Sequence, residues 1–332
     1  MDGHRPSSVL FESPDKSLII LDIPTSLEES QALPSQIPRR RIVSADPPAA
    51  PYPTPEPRHG GGDHSASALA SPRAQLAELM TTATVSSALQ DLANSYSYSG
   101  PFHLDRLVRP QPPLVSALPP LVPDKAEPLH GSVEALRDSF HLSAPQFGIV
   151  VLDPPWPNRS ARRKTDKYAT VSNLDEMRNL LLHIPLASHL EPDGLVAVWI
   201  TNKPSIQDFL TSSAGLFAVW GLELVTEWTW LKVATSGEPL YDIGSTWRKP
   251  WEKLIIAKRI GSKRLDSLKP KVMVAVPDVH SRKPNLRGLF QNVLGKECVG
   301  LEIFARNLTA GWWSWGDEVF RFQQPEHWSD IE

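Results

Sequence analysis

The 332-residue sequence has one cysteine, Cys298, and no long uninterrupted apolar run. A single cysteine excludes an internal disulfide and every zinc site built from several cysteines. We expect Cys298 to be a buried, small apolar residue of a protein from a reducing compartment. No segment approaches the roughly 20 apolar residues of a membrane-spanning helix, and the N-terminus has no secretory-signal core. These absences predict a protein that is not secreted and has no membrane partner.

Two glycine-rich phosphate-binding motifs are also absent. Neither Gly-x-Gly-x-x-Gly after a strand nor Gly-x-x-x-x-Gly-Lys-[Ser/Thr] occurs. The sequence therefore does not support assignment to the dinucleotide-dependent oxidoreductases or to the P-loop enzymes. The histidines are scattered without metal-ligand spacing, so we expect no metal. With a formal charge of −3, any affinity for nucleic acid must come from local basic patches.

The composition differs between the two halves of the chain. Trp156 is the first of 11 tryptophans, whereas most of the 33 prolines precede Phe147. A Pro/Ser/Ala/Gly-rich stretch buries too little apolar surface to offset its conformational entropy. We therefore predict a disordered tail at residues 1–96, the apolar patch 18–21 included, and a folded domain at 97–328 with its core at 146–322. The basic run 38–41 in that tail is a candidate for nuclear import, with incidental charge as the alternative.

Strand and helix patterns alternate from residue 147 onward. Apolar runs predict strands at 147–152, 195–200, 222–232, 253–258, 272–276 and 299–305. Helices are expected near 133–139, from Asn173, from Pro204 and at 285–294. The proline-rich segment 110–128 should wrap the surface in extended form. The alternation predicts an α/β fold, doubly wound around a mostly parallel sheet, with one antiparallel hairpin.

The first of these strands is followed directly by Asp153-Pro154-Pro155-Trp156. Neither proline can donate a ladder hydrogen bond, so the strand must end there. In open α/β sheets, ligands bind outside the carboxyl ends of the strands. A carboxylate, free carbonyl groups and an indole at that edge suit a planar base with an amino group. The simpler alternative is a strand-ending turn followed by a core tryptophan.

Several further blocks follow in order: Tyr168-Ala169-Thr170, Val198 to Asn202, Glu227 to Lys232, Arg248-Lys249-Pro250, His280 to Pro284, Leu301 to Asn307, and Gly311 through Glu318. Together with the tetrapeptide they resemble the eukaryotic family of adenine-amine (m6A-type) methyltransferases, and most closely its methyltransferase-like-four branch. The resemblance runs from about Phe147 to Phe322. It implies a Rossmann-like methyltransferase sheet with a circularly permuted motif order, in which the substrate motif precedes the cofactor strand.

The resemblance also implies site residues. The catalytic set is Asp153, Pro154, Pro155 and Trp156, in which Asp153 and the Pro154 carbonyl accept hydrogens of the target amine and Trp156 stacks on the base with one face exposed. The cofactor S-adenosylmethionine would be held by Lys283, Glu302, Phe304, Arg306, Asn307, Asp317 and Glu318. Asp317-Glu318 departs from the Asn-Gln or Asn-Glu pair of the family, and an ionised Asp317 cannot donate a hydrogen bond.

Substrate-binding residues are expected on two segments. Tyr168 matches a tyrosine that lines the base pocket of the family, and it follows a loop with five cations: Arg159, Arg162, Arg163, Lys164 and Lys167. Charge runs are usually solvated surface, but here the position beside the tetrapeptide favours contact with phosphates. Arg248 and Lys249 lie between two tryptophans, a pattern that suits single-stranded nucleic acid. For a second basic stretch, 258–271, the sequence does not distinguish a solvated loop from a surface that binds phosphates.

These residues predict an S-adenosylmethionine-dependent methyltransferase of the exocyclic amine of adenine in nucleic acid. RNA such as small nuclear RNA is favoured, and DNA stays open; the target must be single-stranded or flipped. The alternative is a non-catalytic, nucleic-acid-binding pseudoenzyme that scaffolds a partner methyltransferase, against which the intact tetrapeptide argues. Methylation of a small molecule or a protein amide would leave the basic loop unexplained. We favour a nuclear over a cytoplasmic location, and a monomer over an obligate heterodimer.

Overall fold

The computed structural model describes residues 7–53, 72–96, 100–109, 118–157, 171, 173–245, 248–263 and 265–331. Its strands are β1 (Val9–Glu12), β2 (Leu18–Leu21), β3 (Arg40–Ser44), β4 (Leu107–Val108), β5 (Glu127–His130), β6 (Phe147–Leu152), β7 (Leu190–Ile200), β8 (Leu222–Lys232), β9 (Trp251–Arg259), β10 (Lys271–Ala275), β11 (Gly300–Ile303), β12 (Trp313–Gly316) and β13 (Trp328–Asp330).

The helices lie between these strands. They are α1 (Ile23–Ser30), α2 (Pro72–Ser95), α3 (Val133–Ser143), α4 (Leu174–Leu182), α5 (Leu186–His189), α6 (Pro204–Thr211), α7 (Leu216–Val219) and α8 (Arg287–Leu294), followed by the 3₁₀ turn Pro325–His327. Asn173 begins α4 by accepting hydrogen bonds from the backbone N–H groups of Asp175 and Glu176. Among the described residues, no helix is long and apolar enough to cross a membrane.

One sheet of ten strands organises the molecule, in the order β1-β2-β10-β8-β9-β7-β6-β11-β12-β5. Neighbouring strands run parallel except at β1–β2, β8–β9 and β9–β7. The predicted doubly wound, mostly parallel α/β fold and its antiparallel hairpin are therefore confirmed. Segments β3, β4 and β13 form a separate three-stranded sheet.

Apolar clusters cover both faces of the large sheet. On one face, side chains of β6 and β7 pack with α3, α4, α6 and α7 in an apolar cluster that includes Val150, Phe140 and Leu210. On the other face, Ile149 and Trp199 pack with α8 and α1. Since side chains alternate between faces, a strand buried on both sides must be apolar throughout, and β6 is (Phe-Gly-Ile-Val-Val-Leu). This explains why the central strands could be predicted from their composition.

The predicted disordered tail is wrong for much of residues 1–96. Strand β2 is fully buried and pairs in parallel with β10, which extends the central sheet. Helix α1 is capped by Asp22 and lies in the core through Ile23 and Leu27. Helix α2 packs Val85 and Leu92 against the same end of the sheet. Residues 1–6 and 54–71 lie outside the described residues.

The prediction fails because β2 pairs with a strand that lies far away in the sequence. Four apolar residues cannot form a core by themselves, so composition averaged over the first hundred residues predicts disorder. They become a strand because β10, some 250 residues further on, offers an open edge. The folded unit therefore reaches back to Val9 and does not begin at residue 97. Likewise, the end of the proline-rich segment is not only surface wrapping, because β5 pairs with β12.

Candidate active site

Asp153 lies where β6 ends, at the carboxyl edge of the sheet. Its backbone N–H makes the last bond of the ladder, to the carbonyl oxygen of Ile303 at 3.3 Å. Pro154 and Pro155 have no N–H to continue the pairing, so the chain leaves the sheet. The Asp153 side chain is 17% exposed, which leaves its carboxylate accessible to a ligand but partly shielded from bulk water.

Two cations from distant segments converge on this carboxylate. Lys283, in the loop after β10, places Nζ 3.3 Å from Asp153 Oδ2. Arg306, in the turn after β11, places Nη1 3.6 Å from the same oxygen. All three side chains follow the carboxyl ends of parallel strands, which meet at one edge of the sheet. The structure thus brings together the predicted catalytic carboxylate and two of the predicted cofactor-binding residues.

Glu252 is a member of this cluster that sequence reasoning missed. Its Oε2 is 2.8 Å from Lys283 Nζ and its Oε1 is 2.5 Å from Lys232 Nζ. Burial raises the pKa of Glu252, but the two ammonium groups outweigh it and lower the pKa to about 2. A signal existed in the sequence, because Glu252 directly follows the tryptophan of the Arg248–Trp251 block. Glu252 lies on β9, which runs antiparallel to β7, so the first residues of β9 lie at the same edge of the sheet as the carboxyl end of β7.

The charge of Lys283 is stabilised despite its position. Burial disfavours the ammonium, but Asp153 and Glu252 together raise the pKa of Lys283 above its usual value. The Nζ atom also lies 5.4 Å from the centre of the Trp199 ring, within the range of a cation–π contact. Lys283 is therefore a fixed positive charge between two carboxylates and an aromatic face.

Glu302 lies on β11, next to the end of β6, where its register partner is Val151. Burial and the nearby charge of Asp153 raise the pKa of Glu302 from 4.5 to about 7, against the smaller opposing effect of Arg306 and Lys283. Near neutral pH this carboxyl group can therefore hold or release a proton.

The turn after β11 supplies the remaining predicted cofactor residues. Phe304 has a left-handed backbone (φ 62°), which a residue with a Cβ rarely adopts and which ends the strand. Arg306 Nε donates to Glu318 Oε2 at 3.1 Å, and Glu318 also pairs with Arg321 at 2.9 Å. Asn307 follows Arg306 and is half-buried. The carboxylate of Glu318 thus holds the arginine that reaches Asp153.

Asp317 follows β12 and directly precedes Glu318; its side chain is exposed, and its carbonyl oxygen is 3.1 Å from Nε2 of His130. This position leaves its carboxylate open to a ligand.

The prediction that one face of Trp156 is exposed is wrong. The indole is only 9% exposed, belongs to the core cluster and packs edge-to-face on Phe209. Its Nε1 donates to the carbonyl oxygen of Trp199 at 2.7 Å, which satisfies the buried N–H. Sequence reasoning took a tryptophan after two prolines to be at the surface. Here the Asp-Pro-Pro turn instead folds the indole back onto the neighbouring strand β7.

The Pro154 carbonyl already has one donor, the backbone N–H of Trp156 at 2.8 Å. A carbonyl oxygen has two lone pairs, so it retains capacity for a second donor. Tyr168 and the cations Arg159, Arg162, Arg163, Lys164 and Lys167 lie outside the described residues. Arg248 and Lys249 lie in the loop before β9. Arg248 donates to the Tyr241 hydroxyl and Lys249 pairs with Glu78, and not with the Asp153 cluster.

Comparison with known proteins decides the family. The MT-A70 family model matches residues 147–318, a segment that contains Asp153, Glu252, Lys283 and Arg306. The chain belongs to the MT-A70 family.

Related proteins extend this likeness beyond the MT-A70 segment. A protein of Cryphonectria parasitica named N6-methyladenosine RNA methyltransferase MTA1 is 53% identical over 97% of this chain and 94% of its own length. Human N(6)-adenine-specific methyltransferase METTL4 is 31% identical over 64% of this chain and 45% of its own length. A Caenorhabditis elegans protein named DNA N6-methyl methyltransferase is 34% identical over 62% and 54%.

These findings confirm the predicted family and the predicted enzyme class, an adenine-amine nucleic-acid methyltransferase. The likeness to METTL4 agrees with the predicted branch. The tetrapeptide follows β6, and β11, the strand predicted to bind the cofactor, comes late in the chain, although the two strands are neighbours in the sheet. The pseudoenzyme alternative loses its basis, since the tetrapeptide and the cationic residues are intact and lie together.

Proposed function

We propose that this protein transfers a methyl group from S-adenosylmethionine to the exocyclic amine of adenine in RNA. The observation that carries the proposal is the Asp153 carboxylate, which emerges at the carboxyl end of β6 within 3.3 Å of Lys283 and 3.6 Å of Arg306. A negative acceptor and two positive groups at one sheet edge are suited to an amine substrate and a cofactor with charges of both signs.

The adenine amine is a poor nucleophile, because its lone pair is delocalised into the ring. Asp153 would accept one of its hydrogens, and the Pro154 carbonyl has a lone pair left for the other. Together these acceptors would draw the nitrogen toward a tetrahedral geometry and direct its lone pair out of the ring plane. The acceleration would come from positioning and electrostatics, with no covalent intermediate on the protein.

The residues present fit S-adenosylmethionine, the donor that MT-A70 enzymes conventionally use. When bound, it supplies a methyl group activated by a sulfonium. Lys283 would meet its carboxylate, while Arg306 and Asn307 would hold its ribose. Asp153, Glu252 and Glu318 are 17–25% exposed and balance the cations of the cluster, so the site offers partners for both the negative and the positive groups of the cofactor.

The choice of RNA rests on the relatives. The fungal protein named as an RNA methyltransferase shares 53% identity over almost the whole chain, whereas the nematode protein named as a DNA methyltransferase shares 34% over less than two thirds. Small nuclear RNA, encountered in the nucleus, is the more specific substrate that we propose, with the protein acting as a monomer. The candidate import run 38–41 overlaps β3, where Arg40 pairs with Asp330 at 2.8 Å, and so gives no support for the nuclear location.

The decisive test is product identification. Purified protein would be incubated with methyl-labelled cofactor and matched RNA and DNA oligonucleotides, and with an RNA whose target adenosine carries a 2′-O-methyl group. Digestion and chromatography should show label in N6-methyladenosine from RNA. Label in deoxyadenosine alone would replace RNA by DNA, and no labelled nucleoside from any substrate would contradict the proposed function. Light scattering at the assay concentration would report the oligomeric state.

A further inference from the structure

A cavity of about 360 Å³ opens beside the active site. Its walls come from the segment after β7, from α6, which contributes the carboxylate Asp208, from the loop before β9 and from the first half of α2. The residues that matter for its chemistry are Glu78, Asn202, Lys203, Tyr241, Arg248 and Lys249. None of them belongs to the Asp153 cluster, although Trp251, which also lines the cavity, directly precedes Glu252.

The cavity adjoins the catalytic tetrapeptide. Lys203 Nζ donates to the carbonyl oxygen of Pro157 at 2.6 Å, one residue after the tetrapeptide. The lining begins at Ile200, the last residue of β7, and β7 is the direct neighbour of β6. One or two strand spacings, about 5–10 Å, therefore separate the cavity from Asp153. A single nucleotide next to the target can span that distance.

The lining combines an aromatic face with a cation. The Tyr241 ring is half-buried and borders the cavity. The guanidinium carbon of Arg248 and the centre of the tilted Tyr52 ring each lie 5.7 Å from its centre, so a base would stack on the part of the ring that these two groups leave open. Arg248 Nη1 donates to the Tyr241 hydroxyl at 3.2 Å, a neutral group. Within the part of the chain that the structure describes, no carboxylate lies within ion-pair distance of this exposed arginine. Stacking platforms with an adjacent cation are how proteins hold single-stranded nucleic acid.

Lys249 differs from Arg248 because its charge is balanced. Its Nζ is 2.9 Å from Glu78 Oε1, and this pair joins α2 to the loop before β9 across the cavity wall. Helix α2 lies outside the segment 147–318 that the family model matches. It is held to the sheet by Val85, Ala88 and Leu92, which are buried. Glu78 thus closes one wall of the cavity and neutralises one of its cations.

We propose that this cavity binds the nucleotide adjacent to the target adenine, with its base stacked on Tyr241 and its phosphate on Arg248. The inference rests on the proposed function, because it assumes that a polynucleotide crosses this edge of the sheet. It adds a subsite in which a neighbouring base is recognised by its aromatic surface. Stacking of this kind tolerates any base, so it provides affinity and register, not sequence preference.

The first test measures binding of a short single-stranded RNA by fluorescence anisotropy, in the presence of S-adenosylhomocysteine. Tyr241→Ala should weaken binding about ten-fold, the loss expected for one stacked base. Tyr241→Phe keeps the ring and should bind almost as wild type does. Arg248→Gln should also weaken binding and reduce its salt dependence by about one phosphate contact. Lys263→Gln, exposed at the opposite edge, is the matched control.

The second test asks whether Tyr241 and the neighbouring base act together. An abasic site is placed on either side of the target adenine in turn. At one of the two positions it should weaken binding to wild type by the same factor as Tyr241→Ala, and the combination should cost no more than either change alone. Effects that multiply at both positions, or unchanged binding by Tyr241→Ala and Arg248→Gln, would overturn the subsite.

Glu78→Gln provides a test in the opposite direction. It releases Lys249 for a phosphate, so RNA binding should tighten a few-fold and become more salt-dependent. Calorimetric affinity for S-adenosylhomocysteine should be the same in all these variants. If the wild type methylates RNA and these variants leave its KM unchanged, the subsite is wrong while the proposed function stands. If the wild type methylates no polynucleotide, the proposed function itself fails.

Discussion

Arg282 Nη1 donates to the carbonyl oxygen of Val43 at 2.9 Å, although the two residues are 239 positions apart in the chain. Arg282 directly precedes Lys283, and it also pairs with Asp278 at 2.5 Å inside the protein. Arg106 extends this contact by donating to the carbonyl oxygens of Val276 and Pro277, at 2.9 Å each. The loop that carries Lys283 is therefore held in place by two segments, around Val43 and Arg106, that precede the methyltransferase core in the sequence.

The first prediction concerns these N-terminal segments. A chain that starts at residue 97 lacks β1, β2, α1 and β3, so it should lose cooperative unfolding and cofactor binding. The point variant Ile19→Ala, at a fully buried position of β2, should lower the free energy of unfolding by about 2–4 kcal/mol. Ile37→Ala, where the side chain is 75% exposed, should change it by less than about 0.5 kcal/mol. Chemical denaturation measures both, and equal effects at the two positions would contradict the assignment.

The second prediction concerns Asp153. Asp153→Ala should abolish methyl transfer, because the target amine loses its acceptor, while Lys283 keeps Glu252 as a counter-ion at 2.8 Å. Affinity for RNA should change far less. Asp138→Ala, at a side chain that is 91% exposed, is the control and should keep full activity. Retention of more than about a tenth of wild-type activity, a barrier change of about 1.4 kcal/mol, would exclude the catalytic role.

The third prediction concerns the cofactor site. Lys283→Ala, Arg306→Ala and Asn307→Ala should each weaken binding of S-adenosylhomocysteine in calorimetric titrations. Glu252→Gln should weaken it too, because it removes a carboxylate that positions Lys283 and stabilises its charge. Unchanged affinity in all four variants would mean that the turn after β11 and the Lys283 loop do not form the cofactor site.

The fourth prediction is a pH dependence at Glu302. Its pKa is raised from 4.5 to about 7 in the folded protein, so between these values the folded state holds a proton that the unfolded state releases. This contribution must therefore lower stability as pH rises from about 4.5 through about 7, and level off above. Relative to Glu302→Gln, the wild type should lose on the order of 1–3 kcal/mol across that window. Denaturation of both proteins from pH 5 to 8.5 measures the difference; a constant difference would contradict the raised pKa.

The fifth prediction concerns the basic loop. Replacement of Arg162, Arg163 and Lys164 by alanine should raise the KM for polynucleotide and flatten the salt dependence of binding, because phosphate contacts are lost. Affinity for the cofactor should not change. The control is Lys263→Ala with Lys269→Ala, two exposed lysines at the other edge of the sheet. Wild-type binding with the same salt slope would show that the loop is only solvated surface.

The second basic stretch shows why position cannot be inferred from charge alone. The sequence alone did not decide whether residues 258–271 form a solvated loop or bind the phosphates of a nucleic acid. In the structure Lys258 pairs with Glu223, and Arg259 donates to the carbonyl oxygens of Ala187 and Leu190. Lys258 lies opposite Leu195, where β7 is still far from its carboxyl end. These cations therefore stabilise the edge of the sheet that faces away from Asp153.

The sequence by itself determined the strands of the methyltransferase core from β6 onward and the carboxylate of the tetrapeptide that follows β6. Strand β6 is apolar at every position and is followed by two prolines, so its burial and its end are local properties. The tertiary structure alone decided the partners. It placed Glu252 and Lys232 beside Lys283, buried Trp156 against β7, and drew β2 into the sheet. Each of these contacts joins segments far apart in the chain, and its energy depends on burial and charge that exist only after the strands have paired.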